Sequence, residues 1–170
     1  MLTSKPLVYV CNVEEESAAI GNALSREVEA YAKADGCGCV IVSAAIEAEI
    51  SQLTYQEEKT EFLTTLGLEE AGLNKLIRTG YSLLNLITFF TAGPKEARAW
   101  TLKKDSTAPQ GAGKIHSDFE RGFIRAETIS YKDYIAHGGE NGAKEAGKLR
   151  VEGADYLIKD GDVLHFRFNV

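Results

Sequence analysis

The stretch from Thr107 to Ile129 constrains the fold most, because it begins with a helical pattern and ends with the pattern of a strand. Thr107 and Gln110 have the spacing of a capping box, and Pro109 lies in the first turn, where a missing N–H is tolerated. Four apolar residues then recur at helical spacing and predict one buried face: Ala112, Ile115, Phe119 and Phe123. After Gly122 the period changes to two, which predicts a strand. The stretch therefore favours a mixed α/β domain.

Charged residues of the same stretch are predicted to lie away from the apolar face. Lys114 and Asp118 have the i,i+4 spacing of an ion pair, and Arg121 falls on the same helical face. In the strand, Arg125 alternates with three residues that we expect to share the opposite face: Ile124, Ala126 and Thr128. A basic helix face that leads into a basic strand is the strongest indication of a binding surface in the sequence.

The first half of the chain has the pattern of a βαβ unit. Leu7–Cys11 is a continuous apolar run, typical of a buried parallel strand, and Cys39–Val42 is a second such run. Between them, apolar residues at helical spacing from Ile20 to Tyr31 predict a helix that stops at Gly36. The loops after both strands would then open on the same edge of the sheet, where open α/β sheets bind ligands.

Two further helices are predicted before the middle of the chain. Thr54 and Glu57 form a second capping box that opens a helix to about Leu66, and another helix is predicted from Leu73 to Leu84. We place a domain boundary near residues 84–86 and expect two domains, residues 1–84 and 85–170.

The second domain is predicted to begin with a hairpin of strands 87–90 and 98–102 that turns at Ala92-Gly93-Pro94. Short helical pieces are predicted at 131–136 and 143–150. We expect the chain to end in a hairpin that turns at Asp160-Gly161. Its last strand would face inward with Leu164, Phe166 and Phe168.

Charge separates the two halves. The formal net charge is −6, but residues 1–84 hold 13 acidic and 6 basic residues, whereas residues 85–170 hold 12 acidic and 13 basic ones. Only the second half is therefore expected to approach RNA phosphates readily. No apolar run approaches the ~20 residues that span a bilayer, and no signal-peptide pattern is present, so we expect no membrane contact.

Side chains that often serve catalysis or metal binding are few. Cys11, Cys37 and Cys39 are odd in number and complete no zinc pattern, which predicts reduced thiols and no metal site. His116 projects near the apolar face of its helix, which predicts a core histidine. No acid–nucleophile set accompanies it, so we predict no catalytic residue.

The order of short motifs along the chain resembles one known family. The run Phe89-Phe90-Thr91-Ala92-Gly93-Pro94, then Arg98-Ala99-Trp100-Thr101, Gly113-Lys114-Ile115-His116 and Gly122-Phe123-Ile124, closely resembles the C-terminal end of the YchF/Obg-like ATPases. The resemblance covers essentially all 170 residues. It implies a fold of class α/β, in which a partial doubly wound, P-loop-type nucleotide-binding domain is followed by a β-grasp domain of the TGS type. It also implies a cytoplasmic, ribosome-linked protein, which we expect to be a monomer.

The resemblance assigns a role to the end of the first strand. Related GTPases have the motif Asn-Lys-x-Asp at the position of Asn12-Val13-Glu14-Glu15. The aspartate of that motif accepts hydrogen bonds from guanine. In the resembling family, the variant Asn-x-x-Glu accompanies a preference for ATP over GTP. Ser43, Ala44 and Ala45 correspond to the second base-contacting loop of that family. The residues alone also allow a plain helix start, in which Asn12 caps the helix and the glutamates complement its dipole.

Phosphoryl transfer requires parts that these residues do not supply. Gly111-Ala112-Gly113-Lys114 resembles half a P-loop, but Ala108 occupies the first glycine position and Ile115 follows the lysine. The resemblance implies that the complete protein binds ATP together with Mg²⁺. We expect this chain to be a fragment without ATPase activity of its own, in which Met1 is either added or a truncated start.

A basic surface of the second domain is predicted to contact the ribosome or structured RNA. Its residues are Lys103, Lys104, Lys114, Arg121 and Arg125, with Lys132 and Trp100 nearby. The alternatives are a solvated face, because acidic residues are interspersed, and an RNA-binding adaptor with no nucleotide role. A β-grasp sulfur carrier is disfavoured because the chain ends Phe168-Asn169-Val170, without a terminal Gly-Gly.

Overall fold

The computed structural model describes residues 5–93 and 96–169, so the predicted turn at Pro94 and the origin of Met1 lie outside the described residues. The chain forms two compact units, Met1–Leu84 and Asn85–Val170, called unit 1 and unit 2 below. In the described part of both units, no helix is long and apolar enough to cross a membrane.

Within residues 5–84, unit 1 contains two strands and four helices. They are β1 (Val8–Asn12), α1 (Ala23–Ala34), β2 (Gly38–Val42), α2 (Ala44–Gln52), α3 (Gln56–Thr65) and α4 (Gly72–Leu83), with a single 3-10 turn at Glu15–Ser17. The strands pair in parallel from Val8 opposite Gly38 to Asn12 opposite Val42. The predicted βαβ unit is therefore confirmed.

The helix boundaries of unit 1 differ from the prediction in three places. Helix α1 begins after Asn22, whose side chain caps it together with Ser25, because a capping box there outweighs the apolar pattern that began at Ile20. Helix α3 begins one residue late, since the N–H of Tyr55 donates to Glu58. Helix α2 was not predicted at all, and residues 44 and 45 lie in its first turn rather than in a loop.

Unit 2 is built on a five-stranded sheet. Its elements are β3 (Leu86–Ala92), β4 (Ala97–Lys103), α5 (Ala108–Ile115), α6 (Ser117–Arg121), β5 (Phe123–Ser130), α7 (Tyr131–Ala136), α8 (Glu140–Glu145), β6 (Arg150–Glu152) and β7 (Asp162–Phe168). The strand order is β4-β3-β7-β5-β6. Strands β3 and β7 are parallel, and every other neighbouring pair is antiparallel. The protein is thus a mixed α/β structure, as predicted.

The core of unit 2 lies between one face of this sheet and helix α5. Phe89, Ala108, Ala112 and Ala126 are fully buried there. Phe166 meets Phe89 edge to face, with ring centroids 6.0 Å apart. Of the predicted inward residues of the last strand, Leu164 and Phe166 belong to this core, whereas Phe168 is half-buried and stacks on Phe119.

The helix predicted to continue from Thr107 to the strand is broken at His116. Its backbone is extended, with φ −159° and ψ 142°, and it separates α5 from α6. The His116 side chain accepts the N–H of Asp118, and 59% of it is exposed. The prediction of a core histidine was wrong, since this ring caps a helix at the surface.

Pairing in the sheet corrects two further predictions. A register shift between Phe123 and Arg125 inserts Ile124 as an extra residue, so Ile124 is 56% exposed instead of sharing a face with Ala126. The prediction of a terminal hairpin is also wrong. The turn at 160–161 leads into β7, which pairs with β3 and β5 rather than with the segment before the turn.

Candidate functional site

The first candidate site lies at the carboxyl ends of β1 and β2. Asn12 ends β1, and its side-chain oxygen accepts the backbone N–H of Ala44 at 2.9 Å. The N–H of Val13 donates to the carbonyl of Val42 at 2.9 Å. These two bonds join the Asn12–Glu15 segment to the segment of Ser43, Ala44 and Ala45, so the structure brings together the two predicted base-contacting segments.

The start of helix α2 offers unused polar groups at this place. Ser43 is 3% exposed, and its hydroxyl oxygen has no hydrogen-bond partner within the described residues. Ala44 and Ala45 are exposed in the first turn, where backbone N–H groups lack helical acceptors. Asn12 occupies the N–H of Ala44, which leaves the N–H of Ala45 available to a ligand acceptor.

Two of the predicted residues contribute differently from the others. The Val13 side chain is buried at 7% exposure, so only its backbone faces the site. Glu15 is exposed in the 3-10 turn that follows β1. Its neighbour Glu14 accepts from the Ser17 hydroxyl at 2.6 Å and from the Asn22 amide, and these bonds lower the pKa of Glu14. The Glu14 carboxylate is thus engaged by two side chains, whereas the exposed Glu15 carboxylate is available to a ligand.

The alternative interpretation, a plain helix start after Asn12, agrees with the structure only in part. Asn12 does not cap the following turn, because its side chain bonds to Ala44 on another helix. The residue that caps α1 is Asn22. The acidic residues 15 and 16 do lie in the first turn of the short 3-10 helix, as a dipole argument requires.

The predicted RNA-facing residues of unit 2 do not form one patch. Lys103 lies opposite Leu86 on β3, and Arg125 lies opposite Arg167 on β7. Since Phe90 is aligned with Val163, these two positions are about 26 Å apart along the strands. Lys103 and Lys104 therefore lie at one end of the sheet, and Arg121 and Arg125 lie near the other.

The arginines of this set are ion-paired, whereas the lysines are not. Arg121 pairs with Asp118, and Arg125 lies 3.6 Å from Glu127. Lys103, Lys104 and Lys114 are exposed and have no carboxylate within 4.0 Å among residues 5–93 and 96–169. The predicted Lys114–Asp118 pair is absent there, because Asp118 binds Arg121 instead.

Arg167 and Arg98 were not among the predicted contact residues. Arg167 forks onto Glu127, with nitrogen–oxygen distances of 2.9 and 3.3 Å, and this bond lowers the pKa of Glu127. Arg98 lies over the Trp100 ring, 4.2 Å from its centroid. The alternation of β7 predicts that Arg167 points outward, but only the strand register reveals its partner.

One group in the described part of the chain has the composition of a metal site. Oxygen and nitrogen atoms of Glu127, Glu140 and His165 lie within 4.8 Å of one another. Both oxygens of Glu127 already accept from Arg167. Arg125 adds a second positive charge, so the two carboxylates are balanced without an ion.

The thiols agree with the predicted reduced state. All three cysteines are free. Cys11 and Cys39 have sulfur atoms 3.7 Å apart, and burial together with the Cys11 thiol raises the pKa of Cys39 to about 11. Since Cys39 lies opposite Tyr9 rather than Cys11, the two Cα atoms are diagonal neighbours about 7–8 Å apart, too far for a bridge without backbone movement.

Comparison with known proteins gives matches that together cover essentially the whole chain. A family model named YchF-GTPase_C, described as "Protein of unknown function (DUF933)", matches residues 86–169. A Haemophilus influenzae protein named "Ribosome-binding ATPase YchF" is 59% identical over 169 residues, which are 99% of this chain and 46% of that protein. A Bacillus subtilis protein of the same name is 55% identical over 172 residues, 100% of this chain and 47% of that protein.

A solved structure agrees with these sequence matches. The Schizosaccharomyces pombe YchF GTPase superposes with a TM-score of 0.81 at 35% identity, over 98% of this chain and 44% of that one. The chain belongs to the YchF family, which confirms the resemblance. It spans about half the length of the curated relatives that it matches.

Proposed function

We propose that this chain is part of a YchF-type ATPase and supplies two of its binding functions. Unit 1 provides the base-recognition edge of a nucleotide-binding domain of the P-loop type, of which β1 and β2 are the last two strands. Unit 2 is a β-grasp module of the TGS type that contacts the ribosome or structured RNA. The complete protein acts in the cytoplasm, and the relatives' printed name, ribosome-binding ATPase, supports this assignment.

The observation that supports the nucleotide role is the hydrogen bond from Ala44 to Asn12. It holds two loops of adjacent parallel strands together at the sheet edge where α/β proteins bind ligands. The N–H of Ala45, in the exposed first turn of α2, suits a ring nitrogen or oxygen of a base, whereas the Ser43 hydroxyl is buried, so that Ser43 contributes through its backbone. Asn12, Val13, Glu15, Ser43, Ala44 and Ala45 together form this proposed site.

The adenine preference is assigned to Glu15. Guanine presents two N–H donors to an acidic side chain, whereas adenine has no donor at N1. An exposed glutamate on a turn, in place of a fixed aspartate, therefore discriminates less against adenine. ATP would bring Mg²⁺ whose ligands are supplied by other parts of the complete protein.

Adenosine binding to this chain tests the nucleotide role. We expect millimolar adenosine to shift the backbone amide resonances of Ala44 and Ala45 in NMR spectra. Asn12→Ala should abolish these shifts because it releases the two loops from each other. The matched control is Asn74→Ala on the exposed side of α4. Unchanged amide shifts, or equal shifts in the Asn12→Ala protein, would contradict the assignment.

The ribosome-binding role is assigned to unit 2 because its 13 basic residues balance 12 acidic ones, whereas unit 1 is strongly acidic, and because three of its predicted contact lysines are exposed and unpaired. Phosphate contacts with Lys103, Lys104 and Lys114 require no ion pair to be broken, whereas Arg121 and Arg125 must leave Asp118 and Glu127. We expect binding to weaken with rising salt, with a slope set by the few phosphates contacted.

Ribosome co-sedimentation of the whole chain tests this role. Lys114→Glu/Arg121→Glu should weaken binding to all RNA sequences alike, since phosphate contacts do not read bases. Lys33→Glu/Lys59→Glu changes the charge equally in unit 1 and is the control. Equal losses in both variants would indicate bulk charge, and a loss only in the control would move the contact to unit 1.

A further inference from the structure

The two outer strands of the unit 2 sheet are built differently. Strand β6 has only three residues, and charged side chains stand at both of its ends. Strand β4 has seven residues and pairs with β3 without any register shift. Proteins commonly shorten, charge or bulge their sheet edges to prevent pairing with other chains. The β6 edge is protected mainly by its shortness, whereas β4 is long and regular and carries charge of only one sign, so it could still pair with a segment of opposite charge.

Hydrogen bonds at the two ends of the β3–β4 pair determine which β4 groups point outward. The N–H of Gly93 donates to Glu96 at 2.9 Å, and the N–H of Lys104 donates to Asn85 at 2.7 Å. Bonded pairs alternate in antiparallel sheets, so residues 98, 100 and 102 bond to β3. Ala97 and Ala99 therefore turn their N–H and C=O groups to the outer edge, beyond which the described residues contribute no further strand.

Positive side chains line this edge without carboxylate partners. Arg98, Lys103 and Lys104 are exposed, and the described residues place no acidic group within ion-pair distance of them. Arg121, Arg125, Arg150 and Arg167, elsewhere in unit 2, are all paired. The β4 edge is thus the part of unit 2 where unpaired positive charge and outward-facing backbone groups coincide.

The Arg98 side chain is held in place by Trp100. The indole N–H donates to the Thr91 hydroxyl at 2.9 Å, and the ring stacks on Phe89 with centroids 6.4 Å apart. Arg98 lies 4.2 Å above the same ring. A guanidinium fixed in this way can bind a carboxylate with little loss of side-chain entropy.

We propose that the β4 edge binds an extended, acidic peptide segment of a partner protein, which joins the sheet as a sixth strand. The backbone of Ala97 and Ala99 would pair with the segment, and Arg98 and Lys103 would bind its carboxylates. RNA suits this edge less well, because its phosphates supply acceptors, whereas a strand edge presents donors and acceptors in alternation. This inference goes beyond the proposed RNA contact, and because Lys103 and Lys104 belong to both surfaces, the peptide and the RNA would compete for the β4 edge.

The chain contains a single tryptophan, so its fluorescence reports this edge directly. The probe is a blocked ten-residue peptide of alternating valine and glutamate, added to the whole chain. We expect a saturable change in Trp100 fluorescence and slower amide exchange at Ala99. Ala99→Pro removes an outward N–H and should weaken binding about tenfold, since a proline is tolerated at an edge but cannot donate. Lys103→Glu should weaken binding severalfold, and the control Lys144→Glu on α8 should not.

A second peptide keeps the test decisive if Ala99→Pro does not fold. It has proline in place of each valine, so it keeps the charge but cannot pair as a strand. The proposal is contradicted if this peptide binds the wild-type chain as tightly as the first one. Equal binding by a folded Ala99→Pro protein would also contradict it, as would equal losses in Lys103→Glu and Lys144→Glu. An RNA oligonucleotide that displaces the peptide with higher affinity would reassign the edge to nucleic acid.

Discussion

The two sheets of this chain differ in how far they can stabilise themselves. The sheet of unit 1 has two strands, and exposed apolar side chains surround it, including Val10 at 46%, Ile20 at 72% and Leu24 at 71% exposure. The five-stranded sheet of unit 2 buries Phe89 and Ala126 completely against its helices. Two strands alone are only marginally stable in water, whereas three or more strands with a packed apolar face can be stable on their own. Unit 2 is therefore the self-sufficient part of the chain.

The same difference bears on function. The proposed base-recognition loops are attached to the weaker sheet, so their geometry depends on contacts such as the Asn12–Ala44 bond. The proposed ribosome and peptide surfaces are attached to the stronger sheet. We expect unit 2 to present them unchanged whether or not unit 1 is folded.

Separating the units should give the largest effect. Residues 85–170 alone should unfold in one cooperative transition, because their core lies within unit 2. Residues 1–84 alone should melt without a cooperative transition, because two strands cannot retain the helices firmly. Circular dichroism during heating measures both. A sharp transition for residues 1–84 would contradict the comparison.

A close backbone approach in unit 2 should give the next largest effect. A Cβ on Gly122 would collide with the Asn169 carbonyl, and the Asn169 N–H donates to Gly122 at 2.9 Å. Gly122→Ala should lower the free energy of unfolding by about 3 kcal/mol through overpacking. In unit 1, Gly67 has φ +69° and open space around it, so Gly67→Ala should cost only about 1 kcal/mol. Urea denaturation measures the loss of unfolding free energy in each variant. Similar losses in Gly122→Ala and Gly67→Ala would contradict the difference expected between the two positions.

The Tyr156 hydroxyl tests a buried network of unit 2. It donates to Asp162 at 2.7 Å, and Asp162 is 3% exposed. Burial and this bond raise the pKa of Tyr156 to about 12. Its stabilising effect is fully present below the ordinary pKa of 10.0 and is lost as the pH rises through about 12.

Tyr156→Phe should lower the free energy of unfolding by about 1–2 kcal/mol, because Asp162 loses a donor. Tyrosinate absorbance should show one phenol fewer that ionises near pH 12. If the variant is as stable as wild type, the network contributes nothing to unit 2.

The Glu127–Arg167 pair should give the smallest effect. The hydrogen bond from Arg167 lowers the pKa of Glu127 below 4.5, so the stabilisation is present above that value and is lost as the pH falls through the folded pKa. Glu127→Gln should remove about 1 kcal/mol at pH 7 and less at pH 3. Urea midpoints at both pH values measure this, with Glu145→Gln on α8 as the control. A loss that does not diminish in acid would exclude the ion pair as its cause.

Local patterns predicted most of the elements correctly, because each depends on neighbours in the sequence. The apolar runs at 7–11 and 39–42 form β1 and β2, and the capping box at Thr107 opens α5. Helix α2 escaped prediction although Ile46, Ile50 and Leu53 have helical spacing, because residues 43–45 were interpreted as a loop that follows β2. The break at His116 was hidden because the apolar spacing continues across it.

Pairings between distant residues could not be predicted from the sequence. Strand β7 pairs with β3 across some 70 residues, and no local pattern distinguishes this from a terminal hairpin. The same holds for the basic residues, which are close in sequence but lie at opposite ends of the sheet. For the base site, the family resemblance indicated both segments, while the bond between Asn12 and Ala44 needed the structure.

Amide hydrogen exchange on the intact chain tests the contrast between the units most directly. Exchange reports the free energy of local opening, residue by residue. We expect amides in the β5 and β7 pairing to exchange only through global unfolding of unit 2, and amides in β1 and β2 to exchange at least about a hundredfold faster. Equal protection of the two sheets would contradict the claim that unit 2 is self-sufficient and that unit 1 is not.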